Sequence, residues 1–121
     1  MNIQELKRVY FIGIGGIGMS ALARYFHEKG ATVQGYDRHH TALTHRMEQE
    51  GIRIHTEDSI DLLDRDAGLV VYTPAIPAAH RQLTWYRENG YPVYKRSDVL
   101  QWITQSMFAI TVAGTHGKTT T

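Results

Sequence analysis

Val9-Tyr10-Phe11-Ile12-Gly13-Ile14-Gly15-Gly16-Ile17-Gly18-Met19-Ser20 runs from a short apolar block straight into a cluster of glycines. The block predicts a buried first strand. The cluster is followed by Met19, Leu22, Ala23 and Phe26 at helical spacing, which predicts a helix from Met19 to Lys29, stopped at Gly30. Strand, glycine turn and helix in that order are the opening of a βαβ unit, with a parallel sheet. In Gly13-x-Gly15-x-x-Gly18 the first glycine makes the tight turn. The second leaves room for a phosphate against the backbone, and the third lets helix and strand pack closely. The helix start then offers free N–H groups and partial positive charge to an anion. Gly16 and Ile17 lie inside the same turn. Asp37 stands about twenty residues further on, at the end of the next apolar block, where a carboxylate can meet a ribose or base. Glycines alone would only permit a tight turn; their agreement with strand, helix and acid points to a diphosphate. NAD, FAD and a UDP-sugar all carry one, so the motif leaves the ligand open.

The same alternation continues outward. Thr32–Tyr36 predicts strand two, Thr41 caps a helix through Glu50, and Ile52–His55 is a short third strand. Glu57–Arg65 predicts a short helix. Leu69–Thr73 is a strand ended by Pro74, Ala78–Asn89 a helix stopped by Gly90, and Tyr91–Tyr94 an edge strand because it contains Pro92. Ser97 caps a helix through Thr104, and Met107–Ala113 predicts a sixth strand. The expected architecture is therefore α/β: a Rossmann-like parallel sheet of about five strands with helices on both faces, plus an extra C-terminal strand.

Composition narrows the function. With 121 residues, 42% hydrophobic and 21% charged, the chain is long enough to bury a core of its own. It has 0 cysteines, which excludes a disulfide scaffold, a thiolate metal site and a cysteine nucleophile. A net charge of +1 argues against an electrostatic nucleic-acid partner. No apolar run has the length of a membrane span and the N-terminus lacks a signal-peptide layout, so a cytoplasmic protein without membrane association is expected. Among the histidines, His39, His40 and His45 cluster after strand two, but without cysteine or a well-spaced acid they read as a solvated face. His27, His55 and His80 are isolated and read as surface residues. Glu57, Asp58, Asp61, Asp64 and Asp66 read as a solvated acidic face, and the aromatics as packing.

A second glycine cluster follows the sixth predicted strand: Gly114-Thr115-His116-Gly117-Lys118-Thr119-Thr120. In a phosphate loop the backbone N–H groups cradle phosphates, Lys118 reaches the β- and γ-phosphates, and Thr119 ligates Mg²⁺. The general pattern G-x-x-x-x-G-K-[ST] calls for glycine where Val112 stands; here the loop is a shorter form that begins at Gly114.

Phe11–Ser20, Val71-Tyr-Thr-Pro-Ala-Ile76 and Ala113–Thr121 together resemble the Mur ligases, the ATP-dependent amino-acid ligases of peptidoglycan synthesis, in order and spacing across the whole chain. His116 and the form of the first loop resemble the branch that adds L-alanine. The resemblance implies a three-domain enzyme much longer than this chain. Residues 1–106 would be its UDP-binding N-terminal domain, and 107–121 the first strand and phosphate loop of its central ATP-binding domain. Gly13, Gly15, Gly16, Ile17 and Gly18 would hold the diphosphate of UDP-N-acetylmuramate. Asp37 and Arg38 would face the uridine, and Thr73, Pro74, Ala75 and Ile76 would line the same crevice. Gly114, Thr115, His116, Gly117, Lys118, Thr119 and Thr120 would hold ATP, with Lys118 and Thr119 in catalytic roles and Thr119 on Mg²⁺. Arg96 and Ser97 resemble the start of an Arg-x-x-[Met/Leu]-Leu stretch of the family, although Val99 departs from it; a plain helix start explains them equally well. The implied reaction has ATP phosphorylate the lactyl carboxylate, and the amine of L-alanine then displaces phosphate to form an amide. On this reading the 121 residues alone are catalytically inert. Three alternatives remain: the NAD-binding domain of a dehydrogenase, a non-catalytic nucleotide sensor, and a murein-recycling member of the same family.

Overall fold

The computed structural model describes residues 5–115, with side-chain environments through residue 105. Five strands, β1 (Arg8–Ile12), β2 (Thr32–Tyr36), β3 (Arg53–His55), β4 (Leu69–Tyr72) and β5 (Val93–Lys95), form one sheet in the order β3-β2-β1-β4-β5. Every pairing is parallel. The helices are α1 (Ile17–Glu28), α2 (Ala42–Gln49), α3 (Arg81–Glu88) and α4 (Arg96–Thr115).

β1 lies at the centre, and its residues Val9, Tyr10, Phe11 and Ile12 are all 0% exposed. That burial explains why the strand is a continuous apolar block instead of an alternating one. Successive side chains still face opposite layers. Val9 and Phe11, with Leu69 and Val71 of β4, pack against Met19, Leu22, Ala23 and Phe26 of α1, Met47 of α2, and Val99 and Ile103 of α4. Tyr10, Ile12 and Val70 pack on the other side against Leu83 and Tyr86 of α3, and against Leu63 and Ala67. Helices thus cover both faces, as expected. Val99, which departs from the family stretch, is fully buried in the first of these cores.

Two predicted elements differ. No helix forms across Glu57–Arg65. Its polar side chains bind nearby backbone instead: Ser59 Oγ accepts from Asp61 N at 3.2 Å, and Asp64 Oδ1 accepts from Asp66 N at 2.9 Å. Such local bonds compete with the helical ladder. Tertiary contacts complete the segment. Arg8 Nε pairs with Asp64 Oδ2 at 2.9 Å, and the Tyr86 hydroxyl donates to Asp64 O and accepts from Asp64 N at 2.8 and 2.9 Å. Asp64, 6% exposed, and Asp58, which accepts from Arg81 N and Gln82 N, are therefore structural residues, not members of a solvated acidic face.

The second difference is the extra strand expected at Met107–Ala113, which is helix, because α4 continues to Thr115. A strand needs a neighbour for its N–H and C=O groups, whereas a helix satisfies them within itself. This run continues α4 without a break, so its backbone groups are satisfied within the helix.

Candidate functional site

In an all-parallel sheet with this order, the connections leave β1 and β4 in opposite directions. A crevice therefore opens outside the carboxyl ends of those two strands. The glycine loop leaves β1 there, and Thr73–Ile76 leaves β4 beside it.

Gly13 takes φ +93°, a conformation that a side chain rarely adopts. It lets the N–H groups of Gly13 and Ile14 both donate to Tyr36 O, at 2.7 and 2.9 Å. The loop is thereby fastened to the end of β2. A Cβ on Gly13 would also lie 3.0 Å from Thr73 Cγ2 and 3.5 Å from Ile76 Cδ1, so the two loops are in contact. Thr73 Oγ1 accepts from Ala75 N at 3.0 Å, and Thr73 O accepts from Ile76 N at 3.0 Å, which folds this second loop into a tight turn. Pro74 and Ala75 are exposed at its tip.

Asp37 has a different environment from the one the sequence suggests. Its Oδ2 accepts from Gly15 N at 2.8 Å, and its Oδ1 accepts from His39 N at 2.9 Å. The carboxylate braces the glycine loop. Arg38 next to it is exposed.

The first turn of α1 is open. Intrahelical bonding begins with Ser20 N donating to Gly16 O, so the N–H groups of Ile17, Gly18 and Met19 have no intrahelical acceptor. The N-cap residue Gly16 supplies no side-chain cap, and the first turn contains no acid. By contrast, Thr41 and Thr44 form a capping box on α2, and Asp58 accepts from Arg81 N and Gln82 N on α3. Ile17 is 87% exposed at the mouth of the crevice. Arg96, at the end of β5, reaches over this turn: its Nη1 lies 3.0 Å, and its Cζ 3.1 Å, from where a Cβ of Gly18 would stand. Free N–H groups and a guanidinium on one side-chain-free surface match a diphosphate in charge and geometry.

Below the crevice, the Tyr36 ring meets the His80 ring edge-on at 4.7 Å. His80 is buried, not at the surface as its isolation in the sequence suggested. Its Nδ1 lies 3.4 Å from Leu83 N and 3.3 Å from Asp58 Oδ1, at the start of α3. Its Nε2 has no partner among the described residues. Burial lowers the His80 pKa, against an opposing pull from Asp58. Burial also raises that of Tyr36, helped by Asp58 and Asp37.

The structure thus brings together Gly13, Gly15, Gly16, Ile17, Gly18, Asp37, Thr73 and Ile76. Gly114 and Thr115 end α4, while His116, Gly117, Lys118, Thr119 and Thr120 lie outside the described residues. Sequence reasoning missed Gly35, Thr44, Asp58 and His80. Gly35 was detectable, since a glycine inside a strand marks a close approach: a Cβ there would stand 2.6 Å from Ile14 Cδ1. The other three carried no local signal.

Comparison with known proteins bears on the family and the fold. Residues 8–107 match the model of the Mur ligase family catalytic domain. A UDP-N-acetylmuramate–L-alanine ligase of Phocaeicola vulgatus is 52% identical over 100% of this chain and 28% of its own length. One from Porphyromonas gingivalis is 54% identical over 96% of this chain and 26% of its own. The crystal structure of the UDP-N-acetylmuramate–alanine ligase of Thermotoga maritima superposes with a TM-score of 0.79 at 30% identity, covering 84% of this chain and 23% of that one. The chain spans about a quarter of the length of the curated relatives it matches.

Proposed function

The chain belongs to the Mur ligase family, and from that premise we propose that its crevice binds the UDP end of UDP-N-acetylmuramate, for an ATP-dependent ligase that joins L-alanine to that substrate. The observation that carries the reading is the open first turn of α1, with no side-chain cap and with Arg96 across it, at the reversal point of the sheet. The N–H groups of Ile17, Gly18 and Met19 and the Arg96 guanidinium hold the diphosphate. Thr73–Ile76 closes the opposite wall, and Arg38 lies on the uridine side, next to Asp37.

Residues 1–106 form the UDP-sugar part of this enzyme, and 107–121 open its ATP-binding part, with the seam inside α4. Gly114, Thr115, His116, Gly117, Lys118, Thr119 and Thr120 are the ATP loop, and Thr119 serves Mg²⁺. In the reaction this implies, the γ-phosphoryl group of ATP would pass to the lactyl carboxylate with release of ADP, and the amine of L-alanine would then displace phosphate, losing a proton as the amide forms. The described residues contribute binding and orientation of the nucleotide sugar. A cytoplasmic location fits these substrates; among the described residues, no helix is long and apolar enough to cross a membrane.

The dehydrogenase alternative fares worse on one observation: Asp37 Oδ2 already accepts the Gly15 N–H of the glycine loop and Oδ1 the His39 N–H of the connection after β2, where a dinucleotide site would offer the acid to the ribose. Calorimetric titration of the chain with UDP-N-acetylmuramate, UDP, NAD and ATP tests the reading. Saturable heat with the two uridine nucleotides is expected, weakened in Arg96→Met. Saturation by NAD with none by UDP-N-acetylmuramate would overturn it.

A further inference from the structure

Outside the crevice, the outer side of α2 carries a group that the sequence alone left incomplete. One ligand atom each from His40, His45 and Glu48 lies within 4.8 Å of the others. His40 Nε2 and Glu48 Oε1 are 2.9 Å apart, and the rings of His40 and His45 meet edge-on at 5.9 Å. His45 and Glu48 share a helix face because residues three apart lie one above the other. His40 precedes the N-cap Thr41, and the capping box between Thr41 and Thr44 sets where the chain enters the helix. The acid missing from the histidine cluster is thus Glu48, which only the helix brings alongside.

From this geometry we propose that His40, His45 and Glu48 form a binding site for a borderline divalent cation of the zinc or nickel type. Two imidazoles and a carboxylate are a donor set that suits such ions, and they leave further positions to water. A tetrahedral ion with bonds of about 2.1 Å holds its ligand atoms about 3.4 Å apart. The His40–Glu48 pair would open slightly from 2.9 Å and the wider gaps, at most 4.8 Å, would close; with side chains 51% and 35% exposed, His40 and Glu48 can make that adjustment without disturbing the core. Hard cations such as Mg²⁺, which prefer oxygen ligands, are not expected to bind here. The site also lies close to the crevice along the chain. His40 is three residues from Asp37, in the short connection whose His39 N–H is held by the Asp37 carboxylate that braces Gly15. A bound ion ties that connection to α2.

The test uses the untagged chain, freed of metal, titrated with Zn²⁺ and with Ni²⁺ by calorimetry and by competition with a chromogenic chelator. One ion per chain is expected. His45→Ala and Glu48→Gln should each weaken binding at least about tenfold, the scale of losing one donor from a small donor set. His27→Ala, well away from the cluster in sequence, should leave binding unchanged. Circular dichroism checks that the exposed-site variants keep the fold. Absence of saturable binding would overturn the proposal, as would equal affinities in wild type, His45→Ala and Glu48→Gln.

Discussion

Gly15→Ala isolates the brace between Asp37 and the glycine loop. Gly15 does not occupy the left-handed region, so alanine fits its backbone; the difficulty lies in the space around it. A Cβ would stand 2.8 Å from Asp37 Oδ2, 3.0 Å from Asp37 Cγ and 3.0 Å from Thr44 Cγ2. Thr44 is 0% exposed and holds the α2 capping box, so it cannot retreat cheaply. The carboxylate must swing out instead, which lengthens the 2.8 Å bond from Gly15 N. A hydrogen bond to a charged group contributes about 1.5–3 kcal/mol. Replacing glycine with alanine returns about 0.4–1 kcal/mol through the unfolded chain. The net expectation is a loss of about 1–2 kcal/mol, read from urea unfolding by circular dichroism. Gly16→Ala is the matched control, because a Cβ there meets nothing closer than Gly13 O at 3.8 Å. There the gain through the unfolded chain is offset because alanine is a poorer N-cap than glycine, so stability should stay within about 0.5 kcal/mol of wild type. Equal stability for Gly15→Ala and Gly16→Ala would refute the brace.

Tyr86→Phe removes both hydrogen bonds between the Tyr86 hydroxyl and the Asp64 backbone; with those groups buried, urea unfolding should show a loss of about 1–3 kcal/mol. Gly13→Ala meets both the positive φ and Thr73 Cγ2 at 3.0 Å, and should cost about 1–2 kcal/mol, with UDP-N-acetylmuramate affinity falling in the same calorimetric titration. Stability should also depend on pH through His80. Its folded pKa lies below the ordinary 6.5, as does that of His55, so the unfolded chain takes up more protons as pH falls through that value. The contribution is full above pH 6.5 and is lost on acidification toward the folded pKa; unfolding curves from pH 8 to 5 should show a smaller decline in His80→Asn than in wild type, and an undiminished decline would contradict the burial argument.

The glycine loop was legible because its demands are local. A tight turn, a close approach and an open helix start each require glycine at a set spacing, and Gly13, Gly15 and Gly18 stand where those demands fall. The strand–helix alternation was legible for the same reason, since burial on both faces leaves an unbroken apolar block such as Val9–Ile12. Asp37 was legible as a functional residue but not in its manner of acting, because its partner N–H lies across the β1–β2 boundary. Glu57–Arg65 has helical spacing, yet Asp64 Oδ1 accepts the Asp66 N–H, and the Asp64 backbone bonds the Tyr86 hydroxyl of a distant helix.

The sequence by itself determined the βα order, the parallel sheet and the place of the glycine loop, since these follow from periodicity and backbone sterics over a few residues. Only the tertiary structure decided that Asp37 is a brace, that His80 is buried under the crevice and that Arg96 crosses the start of α1. Each of those is a pairing of charges or polar groups set by which surfaces the sheet brings together. The run at Met107–Ala113 makes the same point from the other side: apolar and β-branched residues suit a strand, but the run continues α4 and its backbone hydrogen bonds close within that helix.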